Sequence, residues 1–390
     1  MSEMFAGHQN AVYLGGLSDR LPRLPIDWRE LHALWERSME PGPRGYVDGA
    51  AGTEATVRAN LEAFDRWRIV PRMLRDVSER TMEREILGVT WPAPLALAPV
   101  GVLSIAHPDG EPAAARAASS VGLPFVTSTA SSYTLEETAE AGGNCPRWFQ
   151  LYWPSDRDLA RSLIERAERA GYQALVVTLD TWLLGWRPRD LQHAYLPFLR
   201  GTGLANYFSD PVFRAALDRP PEEDLQAAVG HWLGIFSDAS VTWEELAFLR
   251  EATDLPIVLK GILHPDDARR AQEAGMSAVI VSNHGGRQVD GAVGALDALV
   301  AVREAVPDLD AFFDSGVRCA ADVVKALALG ARAVLVGRPY VWALGVGGED
   351  GVAELLRNWL AELDLTLALT GNAHVDGLDR SALVPAGGAT

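Results

Sequence analysis

From residue 91 onward, short apolar runs alternate with segments whose apolar residues recur at helical spacing. The runs cover 94–100, 124–128, 148–152, 174–180, 256–260, 278–283, 311–315 and 333–337. Each is apolar almost throughout rather than alternating, which predicts strands buried on both faces and hence a parallel sheet. Segments 156–171 and 266–275 are amphipathic and begin near Pro-Ser-Asp and Pro-Asp-Asp, sequences suited to capping a helix. A repeat supports the pattern. Ala170-Gly171-Tyr172-Gln173-Ala174-Leu175 recurs as Ala274-Gly275-Met276-Ser277-Ala278-Val279 and as Leu329-Gly330-Ala331-Arg332-Ala333-Val334. In each copy the glycine can end a helix in a left-handed conformation just before a strand. Eight such units predict a single (β/α)8 TIM barrel, with an open doubly wound sheet as the rival.

The spacing of the runs is broken once, after the fourth, where residues 185–240 intervene. This insertion is rich in aromatics (Trp186, Phe198, Tyr207, Phe208, Phe213, Trp232, Phe236). It follows the C-terminal end of a strand and so lies on the catalytic face of a barrel; we expect a lid, with a subunit contact as the alternative. Residues 1–90 are expected to form an N-terminal helical cap, with helices over 28–40 and 53–67 separated by the breaker Pro41-Gly42-Pro43-Arg44-Gly45. Residues 91–390 then form the barrel domain.

Composition narrows the function. The chain has 390 residues, 48% hydrophobic and 22% charged, which is ordinary for a globular protein. Its net charge of −17 and the absence of any Lys/Arg run argue against nucleic-acid and membrane partners. An anionic substrate would need dedicated arginines to overcome that field. Cys145 and Cys319 are too few for a disulfide framework and lack neighbours at metal-ligand spacing, as expected of reduced thiols in the cytoplasm. No basic, apolar leader opens the sequence, and no apolar run reaches about 18 residues.

Polar groups crowd the ends of the apolar runs: Thr178 and Asp180, Lys260, Ser282-Asn283-His284, Asp314, and Gly337-Arg338. In a barrel, strand ends meet at one mouth, so these residues can share a pocket. His284 is the candidate general base, Arg287 an anchor for a substrate carboxylate, and Asp180 the group that orients the imidazole and stabilises its protonated form. Lys260 suits a Schiff base, a phosphate contact or an anion-stabilising role, and its position does not rank them. The small, cationic turns Asp314-Ser315-Gly316-Val317-Arg318 and Gly337-Arg338 suit a phosphate. No GxGxxG follows an early strand. His8, His32 and His231 have no partners at ligand spacing, and no metal is expected.

The motif Ser282-Asn283-His284-Gly285-Gly286-Arg287-Gln288 resembles the signature of the FMN-dependent 2-hydroxy-acid oxidase and dehydrogenase family, and the likeness extends from about Tyr46 to Ala368. Within the family, the segment 179–191, the insertion with Pro197-Phe198-Leu199-Arg200-Gly201 and the turn Phe313-Asp314-Ser315-Gly316 are most similar to the lactate 2-monooxygenase branch. The resemblance implies FMN as cofactor, O2 and a small L-2-hydroxy acid as reactants, and a homotetramer or homo-octamer. It implies conversion of lactate to acetate, CO2 and water. The alternative is an oxidase or dehydrogenase of another hydroxy acid, yielding keto acid with peroxide or a reduced acceptor. By the same resemblance Tyr46, Arg187 and Arg287 hold the substrate carboxylate, while Tyr152 meets the reacting oxygen and His284 acts with Asp180. Pro99, Val100, Gly101, Ser128, Gln150, Thr178, Ser282 and Lys260 face the flavin. Asp314, Ser315, Gly316, Arg318, Gly337 and Arg338 hold its ribityl and phosphate. Three positions depart from common family patterns: Ala130 stands where plant glycolate oxidases carry Trp, Gly101 where many oxidases carry Ala, and Asp48 where a small residue is usual. Asp48 and Ala130 are therefore expected to shape the choice of substrate.

Overall fold

All eight runs form strands in the computed structural model, which describes residues 5–387. They are β1 (Leu95–Leu97), β2 (Phe125–Ser128), β3 (Arg147–Tyr152), β4 (Leu175–Thr178), β5 (Ile257–Ile262), β6 (Ala278–Val281), β7 (Asp310–Phe313) and β8 (Val334–Val336). Neighbours in sequence pair in parallel, and β8 returns to β1 through Val334 and Leu95. The sheet is a closed barrel, so the open-sheet rival is excluded. Each strand is followed by a helix: α1 (Gly110–Ser119), α2 (Leu135–Gly142), α3 (Arg157–Arg169), α4 (Leu246–Ala252), α5 (Pro265–Glu273), α6 (Ala295–Ala305), α7 (Ala320–Ala328) and α8 (Arg338–Leu369). The caps are local. Asp156 accepts from the amides of Asp158 and Leu159 at the start of α3, and Thr134 with Glu137 makes a capping box on α2.

Two separate apolar clusters show why uniformly apolar runs were required. One lies between strands and helices and includes Leu97, Phe125, Phe149, Leu151, Leu175, Val177, Leu259, Val279 and Phe313. The other fills the barrel and takes the alternate residues: Ala96, Val126, Trp148, Val176, Val258, Ile280, Phe312 and Leu335. A strand with helices outside and a packed barrel inside has no polar face.

The N-terminal segment is more varied than a helical cap. Helices Trp28–Ser38 and Ala55–Asp65 form as expected, but the supposed breaker is itself a helix, Pro41–Asp48. Pro41 sits in its first turn, where the missing N–H costs nothing. Three short strands were not anticipated. Arg84–Ile86 and Val89–Trp91 pair as a hairpin whose Ile86 and Trp91 join the interior cluster and close the bottom of the barrel. Trp67–Ile69 pairs antiparallel with Leu383–Pro385, tying the segment that precedes the barrel to the one that follows it.

The insertion is folded and anchored. It contains helices Pro188–Gln192, Ala205–Phe208, Pro211–Ala215 and Leu225–Ile235. Asn206, fully buried, donates to the Ser128 and Thr129 carbonyls and accepts from the Leu135 amide. Arg166 on α3 reaches Asp210 at 3.1 Å and also bonds Glu136. Among the described residues no helix is long and apolar enough to cross a membrane.

Candidate active site

The period of two along a strand decides which side chains reach the mouth. Val126, Trp148, Val176, Val258, Ile280 and Phe312 point inward. Residues two further on must do the same, and they are Ser128, Gln150, Thr178, Lys260, Ser282 and Asp314. The next inward positions are Ala130, Tyr152 and Asp180. The barrel interior thus changes from apolar to polar partway along nearly every strand.

These groups form one network. Ser128 Oγ donates to Gln150 Oε1 (2.9 Å), and Gln150 Nε2 donates to Thr178 Oγ1 (2.8 Å). Lys260 Nζ donates to Ser282 Oγ (3.1 Å) and lies 3.4 Å from Asp314 and 3.8 Å from Asp180. His284 Nδ1 lies 2.7 Å from Asp180 Oδ1, which leaves Nε2 free to accept a proton. Thr181 Oγ1 donates to the same carboxylate oxygen (2.9 Å). His284 holds a left-handed backbone (φ +57°), as do Gly285 and Gly286 after it. Such strained geometry is stored where a side chain must be aimed. Gly261, at a bulge in β5, has φ +105°, and a Cβ there would sit 2.8 Å from Asp180. The glycine makes room for the carboxylate.

The electrostatics follow from desolvation and mutual charge. Desolvation lowers the pKa of His284 below its ordinary value, with the Asp180 carboxylate opposing and Lys260 reinforcing the fall. Burial pushes Asp180 upward, but His284 and Lys260 together hold it well below the usual carboxylate range. Lys260 is raised: Asp314 and Asp180 outweigh its desolvation. Desolvation raises the Tyr152 phenol to about 12. At neutral pH the set is a neutral imidazole, a carboxylate, an ammonium and a protonated phenol.

Arg187 and Arg287 face this set across the cleft. Arg287 Nη1 donates to the Gly49 carbonyl (2.8 Å) and its guanidinium lies 5.0 Å from the Tyr46 ring. Gln288 clamps Arg187, accepting from its Nη2 (2.7 Å) while donating to the Asp180 and Leu183 carbonyls (2.7 and 2.9 Å). At the other end of the cleft, Arg318 is pushed down to about 10 by burial. Arg338 is pushed down to about 9 by desolvation and by the nearby Arg287 and Arg318. Among the described residues neither makes an ion pair with a carboxylate, and Arg318 Nε has no hydrogen-bond partner. Two desolvated guanidiniums with no carboxylate at ion-pair distance among the described residues, beside the start of α8, are a donor set suited to a phosphate.

One cleft with about 1180 Å³ of open space, part of it continuous with solvent, is lined by these groups. Its wall brings together Tyr46, Pro99, Val100, Gly101, Tyr152, Arg187, Lys260, His284, Arg287, Asp314, Ser315, Gly316, Arg318, Gly337 and Arg338. Asp180, Ser128, Gln150, Thr178 and Ser282 lie behind that wall in the network above. Sequence reasoning missed Thr181, Gln288 and the lining residues Leu184, Phe198 and Phe236. Gln288 was visible as the last residue of the quoted motif.

Asp48 does not shape the pocket. It lies two residues beyond Tyr46 on a helix and therefore on another face, where its carboxylate accepts from the Trp35 and Trp342 indoles (2.9 and 2.8 Å). His32 Nε2 is 3.3 Å away, and Glu36 completes a His-Glu-Asp group within 4.8 Å. His32 thus does have neighbours at ligand distance, but both Asp48 oxygens are already hydrogen-bonded. Gly101 also has a packing reason: a Cβ there would lie 2.5 Å from the Ala130 carbonyl oxygen.

A (β/α)8 barrel with a base–carboxylate pair, paired arginines and a phosphate cradle around one cleft is an enzyme scaffold for an anionic substrate and a phosphorylated cofactor. The sequence profile of the FMN-dependent dehydrogenases matches residues 36–385. The chain is 42% identical over 384 residues to the FMN-dependent alpha-hydroxy acid dehydrogenase qulF of Penicillium citrinum, covering 97% of this chain and 96% of that protein. It is 42% identical over 361 residues to an L-lactate oxidase of Lysinibacillus sphaericus, covering 92% and 93%. A crystal structure of mandelate oxidase superposes with a TM-score of 0.82 at 39% identity, covering 94% of this chain and all of that one. The protein belongs to the FMN-dependent 2-hydroxy-acid dehydrogenase and oxidase family. It is an oxidoreductase and binds FMN.

Proposed function

We propose that the protein oxidises an L-2-hydroxy acid to the 2-keto acid and releases it, with O2 or another acceptor taking the electrons. The observation that carries this reading is the His284–Asp180 pair facing Arg187 and Arg287 across a single cleft. The relatives named as oxidases and dehydrogenases support it. Bound FMN supplies the two-electron acceptor.

In this reading Arg187, Arg287 and Tyr46 hold the substrate carboxylate in a fixed fork. Arg187 is held by Gln288 and Arg287 by the Gly49 carbonyl, so both are oriented before substrate arrives. Tyr152 remains a phenol at working pH and donates to the reacting oxygen. His284 Nε2 takes the substrate proton, and Asp180 stabilises the imidazolium that results. Lys260, held as an ammonium by Asp314 and Asp180, would stabilise negative charge on bound FMN. Pro99, Val100 and Gly101 would border bound FMN, with Ser128, Gln150, Thr178 and Ser282 in the polar network behind them. Asp314, Ser315, Gly316, Arg318, Gly337 and Arg338 would hold its ribityl chain and phosphate.

Lactate monooxygenation is the second reading, favoured by the way the anchored insertion walls the cleft with Phe198 and Phe236. One experiment separates them: aerobic turnover of L-2-hydroxy acids by the holoenzyme, with keto acid, peroxide and the acid one carbon shorter all quantified. We expect keto acid with matching peroxide, or with a reduced acceptor if a dye is required. The shorter acid without peroxide would replace this reading with monooxygenation.

A further inference from the structure

We propose that the hydroxy acid taken by this site carries a bulky apolar group on Cα, an aryl ring before all others. The inference rests on the hydroxy-acid reading above and concerns the aromatic side chains that the insertion brings to the cleft. Tyr152 packs against Phe236 with ring centroids 5.2 Å apart, and Phe198 lies 6.4 Å from Tyr46. Trp232 stands behind both, 4.8 Å from Phe236 and 5.0 Å from Phe198. Phe198 and Phe236 thus form, with Trp232 behind them, an uncharged aromatic cluster that adjoins Tyr46 and Tyr152. Phe198 and Phe236 reach the cleft from the insertion, Tyr46 from the N-terminal helix and Tyr152 from β3.

Two aliphatic residues also line the cleft. Ala130, 3% exposed, lines the cleft with only a methyl group. Leu184 also lines it and yet is 49% exposed, an apolar side chain at the rim without a full complement of neighbours. A substrate methyl group covers little of this wall and leaves the rest in water. An aryl group covers it and can join the tilted and edge-on contacts that the resident rings already make. Discrimination by such a pocket builds up with each buried carbon, on the order of tenfold per methylene.

The test is kcat/KM of the FMN-loaded enzyme for glycolate, L-lactate, L-2-hydroxyhexanoate, (S)-mandelate and L-3-phenyllactate, with anaerobic flavin bleaching as the direct readout of reduction. We expect the better aryl acid to exceed L-lactate by about tenfold or more. Ala130→Leu, which adds bulk to the cleft lining, and Phe236→Ala, which removes one ring, should each shrink that ratio, with the flavin spectrum reporting that the site is still assembled. L-lactate or glycolate reduced as well as the aryl acids would overturn the proposal and leave the hydroxy-acid reading intact. An aryl preference that neither variant reduces would also overturn the assignment to this wall. Failure of every acid to bleach the flavin would remove both readings.

Discussion

The two ends of the barrel are built from the same eight strands and obey different physics. At the bottom, Trp91 and Trp148 lie 5.1 Å apart and Trp148 and Phe312 5.2 Å apart, all essentially unexposed beneath the 84–91 hairpin. At the mouth, two residues further along the same strands, stand Gln150 and Asp314, with Lys260 on β5 in the equivalent position. There the non-glycine residues Val102, His284 and Ser315 take left-handed backbones. Arg318 and Arg338 are desolvated without a carboxylate partner. The bottom gains stability from dense apolar packing. The mouth carries strain and desolvated charge that a bound ligand relieves, and the bottom offsets that cost.

This division can be broken from either side. The largest expected effect is His284→Ala, which should lower kcat by about 10²–10⁴-fold while leaving the thermal midpoint unchanged or higher. A large loss of stability with activity retained would contradict the division. Trp148→Ala is the mirror case. It should cost about 3–5 kcal/mol in urea unfolding and leave kcat per bound FMN nearly unchanged. Arg287→Met removes charged hydrogen bonds of about 1.5–3 kcal/mol and should raise KM by about 10–10²-fold with a smaller change in kcat. An unchanged KM would take Arg287 out of carboxylate binding.

The smallest effect sharpens the electrostatics. His284 must be neutral to act as a base, and desolvation holds its pKa below the ordinary 6.5. The acid limb of kcat/KM should therefore lie below pH 6.5, with activity falling as the imidazole is protonated. Asp180 opposes that depression, so Asp180→Asn should move the limb to lower pH as well as slow turnover. A limb that moves upward on this substitution would mean that a group other than His284 titrates.

Much of this was legible in the sequence. The eight apolar runs, the repeat with its glycine and the polar residues at run ends each follow from local spacing, and the motif 282–288 located the candidate base. What escaped depended on partners far along the chain. Tyr46 and Asp48 are two residues apart, yet one lines the cleft and the other is held by Trp35 and Trp342 on the far side of its helix. The 41–45 segment looked like a breaker because its prolines and glycines were read without the helix they begin. Phe198 and Phe236 were visible as aromatics in the insertion, but their facing the cleft rests on the anchors Asn206 and Arg166.

By itself the sequence determined eight strands buried on both faces, the helices between them and the ionisable groups at the strand ends, because a strand's burial and a helix's period are set by neighbouring residues. Only the tertiary structure decided which of those groups touch. Gln288 clamps Arg187 from 101 positions away, and Arg338 bonds the Gly49 carbonyl from 289. Such contacts arise from closure of the sheet and from helices docking on its mouth, and no local pattern encodes either.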